Sequence, residues 1–397
     1  MTITILDDIQ VIDTDTHVTE PADLWTSRIS TQKWGDKVPH VKWDAKSQEE
    51  FWYFGGERVM STASPAMAFW HEFPPGHPHS LADAHPTTTD VAQRVALMDD
   101  YGIHAHVLYP NIAGFGTGRF LTVREPELML ECVRAYNDFL IEEYSDAHDG
   151  RFVAVAAVPF WDVEASVKEI QRAAEIGHKG IMMGSQPDDW GQPFLTDRHW
   201  DPIWATAQDL DLSINFHIAS GDFSKQFAAP PSPTNDFGGS ASYASMGVQL
   251  FVGNAGALAK VIYGGICHRF PRLNFVSVES GIGWLPFALE AMDWQWKNCG
   301  VAQEHPEYDL LPSEYFRRQI YGCFWFENAT AKFALDFLGD DHIFYETDFP
   351  HPTCMAPGPA TTAVRPQEYI EHALGDLPEA TLRRILHDNA ARVYHLD

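Results

Sequence analysis

One stretch near the start of the chain sets the frame for the rest: Val11-Ile12-Asp13-Thr14-Asp15-Thr16-His17-Val18-Thr19-Glu20-Pro21. Its apolar beginning and polar end predict a buried strand with reactive side chains at its C-terminal end. Because residues two apart in a strand point to the same side, we expect Asp13, Asp15 and His17 to project together. A carboxylate and an imidazole at this spacing can bind one divalent cation. The alternative is a structural strand whose Asp15 caps the following helix.

Composition and charge limit the class of protein. The chain has 397 residues, 45% hydrophobic and 13% aromatic, enough for a sizeable core. Its formal net charge of −28 disfavours nucleic acid and anionic membranes as partners. Its five cysteines form no C-x-x-C pair and its N-terminus lacks a leader pattern, so we expect reduced thiols and a cytoplasmic location. No run approaches 18 uninterrupted apolar residues, so we expect no membrane span.

Strands and helices alternate along most of the sequence. After the first strand, apolar runs predict strands at 104–110, 151–158, 180–184, 212–217, 273–279, 319–325 and 343–348. Helical spacing of apolar residues predicts helices at 90–101, 126–144, 163–176, 200–209, 239–263, 283–298, 329–338, 366–374 and 378–394. This alternation predicts one (β/α)8 barrel domain over residues 1–397. A doubly wound open sheet is the alternative, but no glycine-rich phosphate loop follows the first strand.

Ligand-type side chains collect where the predicted strands end. They are Asp15 and His17 on the first strand, His217 on the fifth, Glu279 on the sixth and Asp348 on the eighth. In a barrel, the C-terminal ends of the strands meet on one face, which carries the chemistry. Taken singly, His217 reads as a core histidine and Asp348 as a turn residue. Together they predict a divalent-metal site.

A resemblance to a known family is carried by five motifs: Ile12-Asp13-x-Asp15-x-His17 with Glu20-Pro21, Asn215-Phe216-His217, Glu279-Ser280-Gly281-Ile282-Gly283-Trp284-Leu285-Pro286, Glu346-Thr347-Asp348-Phe349-Pro350-His351 and Leu386-His387-Asp388-Asn389-Ala390-Ala391-Arg392. The sequence resembles the amidohydrolase superfamily, in the amidohydrolase-related branch that contains aminocarboxymuconate-semialdehyde and resorcylate decarboxylases. The resemblance runs from about residue 10 to the C-terminus and is weakest over 21–88. It implies a distorted (β/α)8 barrel with one divalent metal, held by Asp15, His17, His217 and Asp348.

The sequence departs from the family pattern at two positions. Asp15 stands where the family usually has histidine or glutamate, which shifts the site toward oxygen ligands. Manganese therefore competes with zinc, which stays the expected metal. Glu279 stands where the decarboxylases often have histidine, and a charged carboxylate there would repel an acidic substrate. Its alternative role is a salt bridge to Arg58 or His268. Lys179 precedes the fourth strand rather than ending it, so a second, lysine-bridged metal is not expected.

These features predict a metal-dependent hydrolase that uses a metal-activated water on a small aromatic or cyclic substrate. Asp348 is the expected base, and Glu279 and His351 are further candidates for proton transfer. The alternative is non-oxidative decarboxylation of an aromatic or muconate-like acid, for which Arg58 would supply the cation. A second alternative is a barrel that binds a ligand without turnover.

The segment 21–88 is predicted to be a folded insertion over the barrel mouth. It is rich in tryptophan and phenylalanine, and βα loops emerge on the catalytic face of a barrel. We expect Trp52, Phe54, Arg58 and Trp70, with Glu20 at the start of the segment, to contact the substrate. Unpacked aromatics would not be tolerated in water, so a homodimer or higher homo-oligomer is also expected. The histidines of this segment are expected to be solvated.

Overall fold

The first strand begins a parallel sheet of eight strands in the computed structural model, which describes residues 8–148, 150–222 and 238–396. Numbered along the chain, the strands are β1 (Val11–His17), β2 (His40–Asp44), β3 (Glu49–Phe54), β4 (Glu57–Ser61), β5 (Ile103–Tyr109), β6 (Phe152–Ala156), β7 (Gly180–Met182), β8 (Ser213–His217), β9 (Phe275–Val278), β10 (Ile320–Phe324) and β11 (Ile343–Tyr345). The order in the large sheet is β1-β5-β6-β7-β8-β9-β10-β11. Each predicted barrel strand is therefore present.

The sheet returns to its first strand just beyond β11. Thr16 and Phe349 form a parallel bridge. The backbone N–H of His17 donates to the carbonyl of Phe349 at 2.7 Å, and that of Asp348 donates to the carbonyl of Asp15 at 3.0 Å. We call this junction the seam. It confirms the predicted (β/α)8 barrel, and it brings the start and the end of the chain together at one point of the rim.

The helices follow the predicted pattern. The longer ones are Val91–Tyr101, Pro126–Leu140, Val163–Ile176, Asp201–Asp209, Gly239–Phe251, Asn254–Tyr263, Leu285–Asn298, Pro312–Gln319, Ala329–Leu338, Pro366–Leu374 and Asn389–Tyr394. Short helices are Thr31–Trp34, Pro86–Thr89, Ile266–Arg269, Val301–Glu304 and Glu379–Arg383. Two predicted continuous helices pass into wider π-helical turns, at Ile141–Ser145 and Arg384–Asp388. The periodicity of apolar residues does not register such a local change of winding.

Two apolar layers hold the barrel together. Side chains such as Ile12, Val107, Val153 and Val276 fill its interior and are at most 1% exposed. A larger cluster packs the outer faces of the strands against the helices. Since both faces are covered, strands such as β6 are buried at every position and read as continuous apolar runs.

The insertion contains an antiparallel sheet of β2, β3 and β4, which the sequence did not predict. Alternation along β3 turns Trp52 and Phe54 to the same face, and both pack on Trp25 with ring centroids 5.2 and 5.3 Å away. They are 1% and 0% exposed. The prediction that Trp52 and Phe54 contact the substrate is wrong, because they belong to the core. The insertion thus buries these aromatics within its own chain, and the homo-oligomer stays a prediction.

One helical stretch, Gly239–Tyr263, has the length and the composition of a membrane span, and only 28% of its most apolar window is buried in the fold. Length and composition alone are weak evidence for a span. The structure divides this stretch into two helices, and Asn254 at the start of the second donates to the carbonyl of Phe216 on β8. The stretch is therefore joined to the barrel, and the absence of a membrane partner stays a prediction.

Candidate metal centre

Five strand-end side chains converge at the barrel rim. Potential ligand atoms of Asp15, His17, His217 and Glu279 all lie within 4.8 Å of one another. A second group within the same limit shares His17 and Glu279 and adds Asp348 and His351. The structure therefore gathers every predicted metal ligand and every predicted catalytic residue into one buried cluster. It also places Glu279 in both groups, which makes this residue a candidate ligand as well as a candidate acid or base.

The two histidines present the same nitrogen to the centre. The Nδ1 of His17 lies 3.1 Å from the carbonyl of Pro110, and the Nδ1 of His217 lies 2.9 Å from the carbonyl of Ile218. Because a carbonyl can only accept, each Nδ1 carries the hydrogen and each Nε2 has its lone pair free. The two Nε2 atoms are 3.1 Å apart. A cation between them would satisfy both lone pairs.

Asp15 completes a set of ligands that fits a divalent ion. Its Oδ1 is 3.3 Å from the Nε2 of His17 and 3.6 Å from that of His217. Both of its carboxylate oxygens are buried without a hydrogen bond from any residue that the structure describes. Burial opposes ionisation, but the facing His217 and His17 lower the pKa of Asp15 to about 2. Two imidazole nitrogens beside an ionised carboxylate are suitable ligands for zinc or manganese.

Glu279 also faces His217, with its Oε2 3.3 Å from Nε2. Burial raises the pKa of this carboxyl to about 8 against the charge of His217. The alternative of a salt bridge to Arg58 or His268 is wrong, because Arg58 pairs with Asp44 at 3.1 Å and His268 with Asp309 at 3.3 Å.

Two of the carboxylate residues have a strained backbone conformation that directs their side chains into the cluster. Glu279 has φ of 56° and Asp348 has φ of 60°, left-handed values that non-glycine residues seldom adopt. Such strain persists only where the surrounding structure enforces it, and it concentrates at functional sites. Here each left-handed residue directly follows a barrel strand or its extension and turns its carboxyl into the cluster.

His351 and Asp348 form a pair at the edge of the cluster. The Nδ1 of His351 is 2.7 Å from the Oδ1 of Asp348, which is itself 3.5 Å from the Nε2 of His17. The ring of His351 stacks on that of His17 with centroids 3.6 Å apart. Its Nε2 meets the side-chain oxygen of Asn111 at 2.5 Å. The pair is thus linked to the predicted ligands and also reaches the cavity described below.

Asp13 lies below the cluster and supports it. Its Oδ1 accepts from the backbone N–H of Thr347 at 2.9 Å, and its carboxylate also binds the Thr347 hydroxyl. The three side chains that were expected to project together, Asp13, Asp15 and His17, therefore have two different roles. Asp15 and His17 face the centre, while Asp13 fixes the residue before Asp348 across the seam.

A cavity of about 800 Å³ opens above the cluster and is lined by Glu279, Asp348 and His351. Its other walls are mostly apolar. They come from the insertion, from the loops after β5 and β7 and from the helix Gly239–Phe251, including Met60, Met67, Phe115, Trp190, Met246 and Leu250. Such a cavity suits a small, largely apolar molecule with a polar end at the cluster.

The remaining predicted substrate contacts have other positions. Glu20 is buried and accepts the backbone N–H groups of Asn111 and Ile112 at 2.8 and 2.9 Å, so it supports the loop after β5. Trp70 lines a separate, smaller groove. Arg58 reaches the cavity from its outer rim, but its side chain is 51% exposed and paired with Asp44. The predictions that Glu20 and Trp70 contact the substrate are wrong. Arg58 lies at the entrance of the cavity, so only its charge is available there.

Sequence reasoning missed Phe115 and Arg119 in the loop after β5. The ring of Phe115 covers His217 and His17, with centroids 3.9 and 5.1 Å away. Both residues line the cavity. The available signal was the density of glycines at positions 114, 116 and 118, directly after a barrel strand.

Comparisons with known proteins agree with this geometry. The family model described as Amidohydrolase matches residues 12–396. The chain is 25% identical over 348 residues to a gamma-resorcylate decarboxylase of Rhizobium sp., which covers 83% of this chain and 91% of that protein. An amidohydrolase from Mycobacterium avium subsp. paratuberculosis has a TM-score of 0.75 at 22% identity, with 98% and 99% of the two chains covered. A manganese-bound dihydroxybenzoic acid decarboxylase from Polaromonas sp., with the inhibitor 2-nitroresorcinol, has a TM-score of 0.60 at 18% identity, with 98% and 97% covered.

Proposed function

Since this chain belongs to the amidohydrolase family of enzymes, we propose that it is a metal-dependent, non-oxidative decarboxylase of an aromatic or muconate-like acid. The observation that carries the proposal is the carboxylate–imidazole cluster at the base of a largely apolar cavity. Hydrolysis, which the sequence favoured because of Glu279, has less support. The Rhizobium and Polaromonas proteins reported above are both decarboxylases by name.

Asp15, His17 and His217 would hold one divalent ion, with Glu279 or Asp348 as a further ligand. When bound, the ion supplies positive charge that orients and polarises oxygen atoms of the substrate. Zinc is the metal expected from the sequence. The carboxylates of the cluster and the manganese of the Polaromonas relative support manganese. Elemental analysis should give one equivalent per chain, and two equivalents would contradict a single site.

The Asp348–His351 pair is placed to deliver the proton that decarboxylation requires. As the bond between the ring carbon and the carboxylate breaks, its electron pair remains on the ring carbon. That carbon takes a proton from the pair, and carbon dioxide leaves. The 2.7 Å contact between the two side chains lets the proton return from His351 to Asp348, and Asn111 holds His351 in place. Glu279 is the second candidate donor on the same wall.

The test is a turnover assay on full-length protein loaded with zinc or manganese. Hydroxylated benzoates labelled with ¹³C at the carboxyl group are incubated in D₂O, and labelled carbon dioxide and deuterium in the phenol product are measured. We expect one deuterium on the carbon that lost the carboxylate. His217→Ala should abolish the release, while Asp336→Asn, on the exposed face of the helix Ala329–Leu338, should leave it unchanged.

A parallel panel of esters, lactones and amides distinguishes the competing activity. Hydrolysis of any of these without release of carbon dioxide from the acids would replace the decarboxylase proposal by the hydrolase expected from the sequence. Tight binding with no turnover of either panel would favour a ligand-binding barrel.

A further inference from the structure

Arg119 is a cation in the cavity wall with no counter-ion among the residues that the structure describes. Its side chain is partly buried and lines the cavity that Glu279, Asp348 and His351 also line. No residue within the described ranges forms a hydrogen bond or an ion pair with its guanidinium. Burial lowers the pKa of Arg119, and the charge of Glu20 opposes this effect. Charges removed from water are normally paired, so the arrangement calls for an explanation.

Glu20 does not fill the role of partner. Its carboxylate instead accepts from the backbone N–H groups of Asn111 and Ile112. Arg58, the cation expected from the sequence, differs in both respects. It is half exposed, it pairs with Asp44, and it lies over the ring of Phe51. Arg119 therefore differs from Arg58 in having no acidic partner among the described residues.

The loop that carries Arg119 is held rigidly. A Cβ on Gly116 would lie 2.6 Å from the carbonyl of Ser220, and one on Gly118 would lie 2.4 Å from the ring of Trp190. The hydroxyl of Thr117 donates to the carbonyl of Val158 at 2.6 Å. The loop is thus packed against the neighbouring strand ends, and the start of the Arg119 side chain is fixed in space. A fixed backbone position reduces the conformational entropy that the side chain loses on binding.

We propose that Arg119 binds the carboxylate of an organic-acid substrate in this cavity. A guanidinium donates two parallel N–H bonds to a carboxylate, and the low polarity of the surrounding wall strengthens them. The cluster itself is rich in acidic groups, which repel an anion. The positive charge of Arg119 in the cavity wall offsets this repulsion and favours entry of an anionic substrate. The substrate is then an acid with an apolar body rather than a neutral ester or amide. This inference rests on the proposed function only for the acidic nature of the substrate.

The proposed contact between Arg119 and the carboxylate is made in the complex with the bound substrate. Its strength decreases as the carboxylate becomes neutral carbon dioxide, so it contributes to binding rather than to lowering the chemical barrier. Loss of Arg119 should therefore raise KM about tenfold or more and change kcat little. A purely structural role in the loop would instead lower thermal stability and metal content.

The test is calorimetric titration of metal-loaded, full-length protein with matched pairs of ligands. Each pair is a hydroxylated benzoate and the phenol that lacks its carboxylate, for example gamma-resorcylate and resorcinol. Arg119→Gln should weaken binding of the acid about tenfold or more and leave binding of the phenol unchanged. Arg119→Lys should recover part of the loss. Arg124→Gln removes the same charge five residues away, at a side chain that is 75% exposed, and should bind both ligands as the wild type does.

Three results would overturn the inference. They are unchanged binding of the acid by Arg119→Gln, an equal loss for acid and phenol, and a wild-type protein that binds none of the acids. Because binding is measured without turnover, selective loss of acid binding without any release of carbon dioxide would retain Arg119 and reject the decarboxylase proposal.

Discussion

Phe115 covers the ring of His217, with the two ring centroids 3.9 Å apart. An apolar cover of this kind restricts water at a metal site and fixes the orientation of the imidazole. Phe115→Ala should therefore weaken metal binding by about tenfold, the low end of what is typical when the surroundings of a ligand are altered. Competition with a chromophoric chelator measures this affinity. Phe115→Leu should retain most of it, and equal affinity in the alanine variant and the wild type would show that the cover has no such role.

His217 and Asp348 should lose activity by different routes. His217→Ala removes a nitrogen that faces the centre, so the purified variant should contain little metal. Asp348→Asn removes the acid that faces His351, so turnover should fall by about 100-fold or more even with one metal bound. Metal content and turnover are measured at low and at saturating metal. Recovery of Asp348→Asn to wild-type turnover in excess metal would exclude Asp348 as a proton donor.

Trp52 should matter for stability and not for substrate binding. Its side chain is 1% exposed and packs edge-on against Trp25. Trp52→Ala should lower the free energy of unfolding by about 3–5 kcal/mol, as large aromatic truncations in cores do. Its neighbour Tyr53 turns to the other face of β3, and Tyr53→Ala should cost about 1 kcal/mol. Urea unfolding compares the two variants. A change in KM for a fully folded Trp52→Ala variant would show instead that this side chain contributes to substrate binding.

His178 should make the fold sensitive to acid. It is 2% exposed, its Nε2 lies 3.1 Å from the carbonyl of Asn137, and burial lowers its pKa from 6.5 to about 4. Between these two values the unfolded chain binds the proton and the folded chain does not, so stability rises with pH. The contribution is complete above pH 6.5 and falls by about 3 kcal/mol as the pH decreases to 4.

Urea unfolding at a series of pH values between 4 and 7 tests this assignment. His178→Gln should reduce the pH dependence of the free energy of unfolding in that window. The exposed His372→Gln should show the wild-type dependence. If His178→Gln keeps the full dependence, another buried group is responsible.

The barrel and the predicted ligands were accessible from sequence because both depend on local patterns. Alternating Asp15 and His17 at the end of an apolar run specify where their side chains point once the strand is recognised. Barrel geometry then brings His217, Glu279 and Asp348 to the same rim, whatever their separation in the chain. The contacts made by those side chains, such as the stacking of His351 on His17, depend on distances that no pattern encodes.

Residues in loops show more clearly which contacts the sequence does not predict. Arg58 and Arg119 both lie in connections after barrel strands, and their local sequences do not reveal which one has a partner. Asp44 on β2 pairs with Arg58 on β4 only because both strands flank β3, in a sheet that the sequence did not predict. The aromatic content of the insertion was similarly ambiguous. The same tryptophans could line a pocket or fill a core, and only the direction of β3 decides.

A nascent chain exposes Asp15 and His17 long before Asp348 has been translated. Asp13 and Thr347, which join across the seam, are separated by 334 positions. Ribosome-bound fragments, and chains cut before residue 343, therefore lack the strand that completes the rim. They carry Asp15, His17, His217 and Glu279 but lack Asp348 and His351. The second half of the cluster and the seam can therefore form only after the last strand of the barrel has been made.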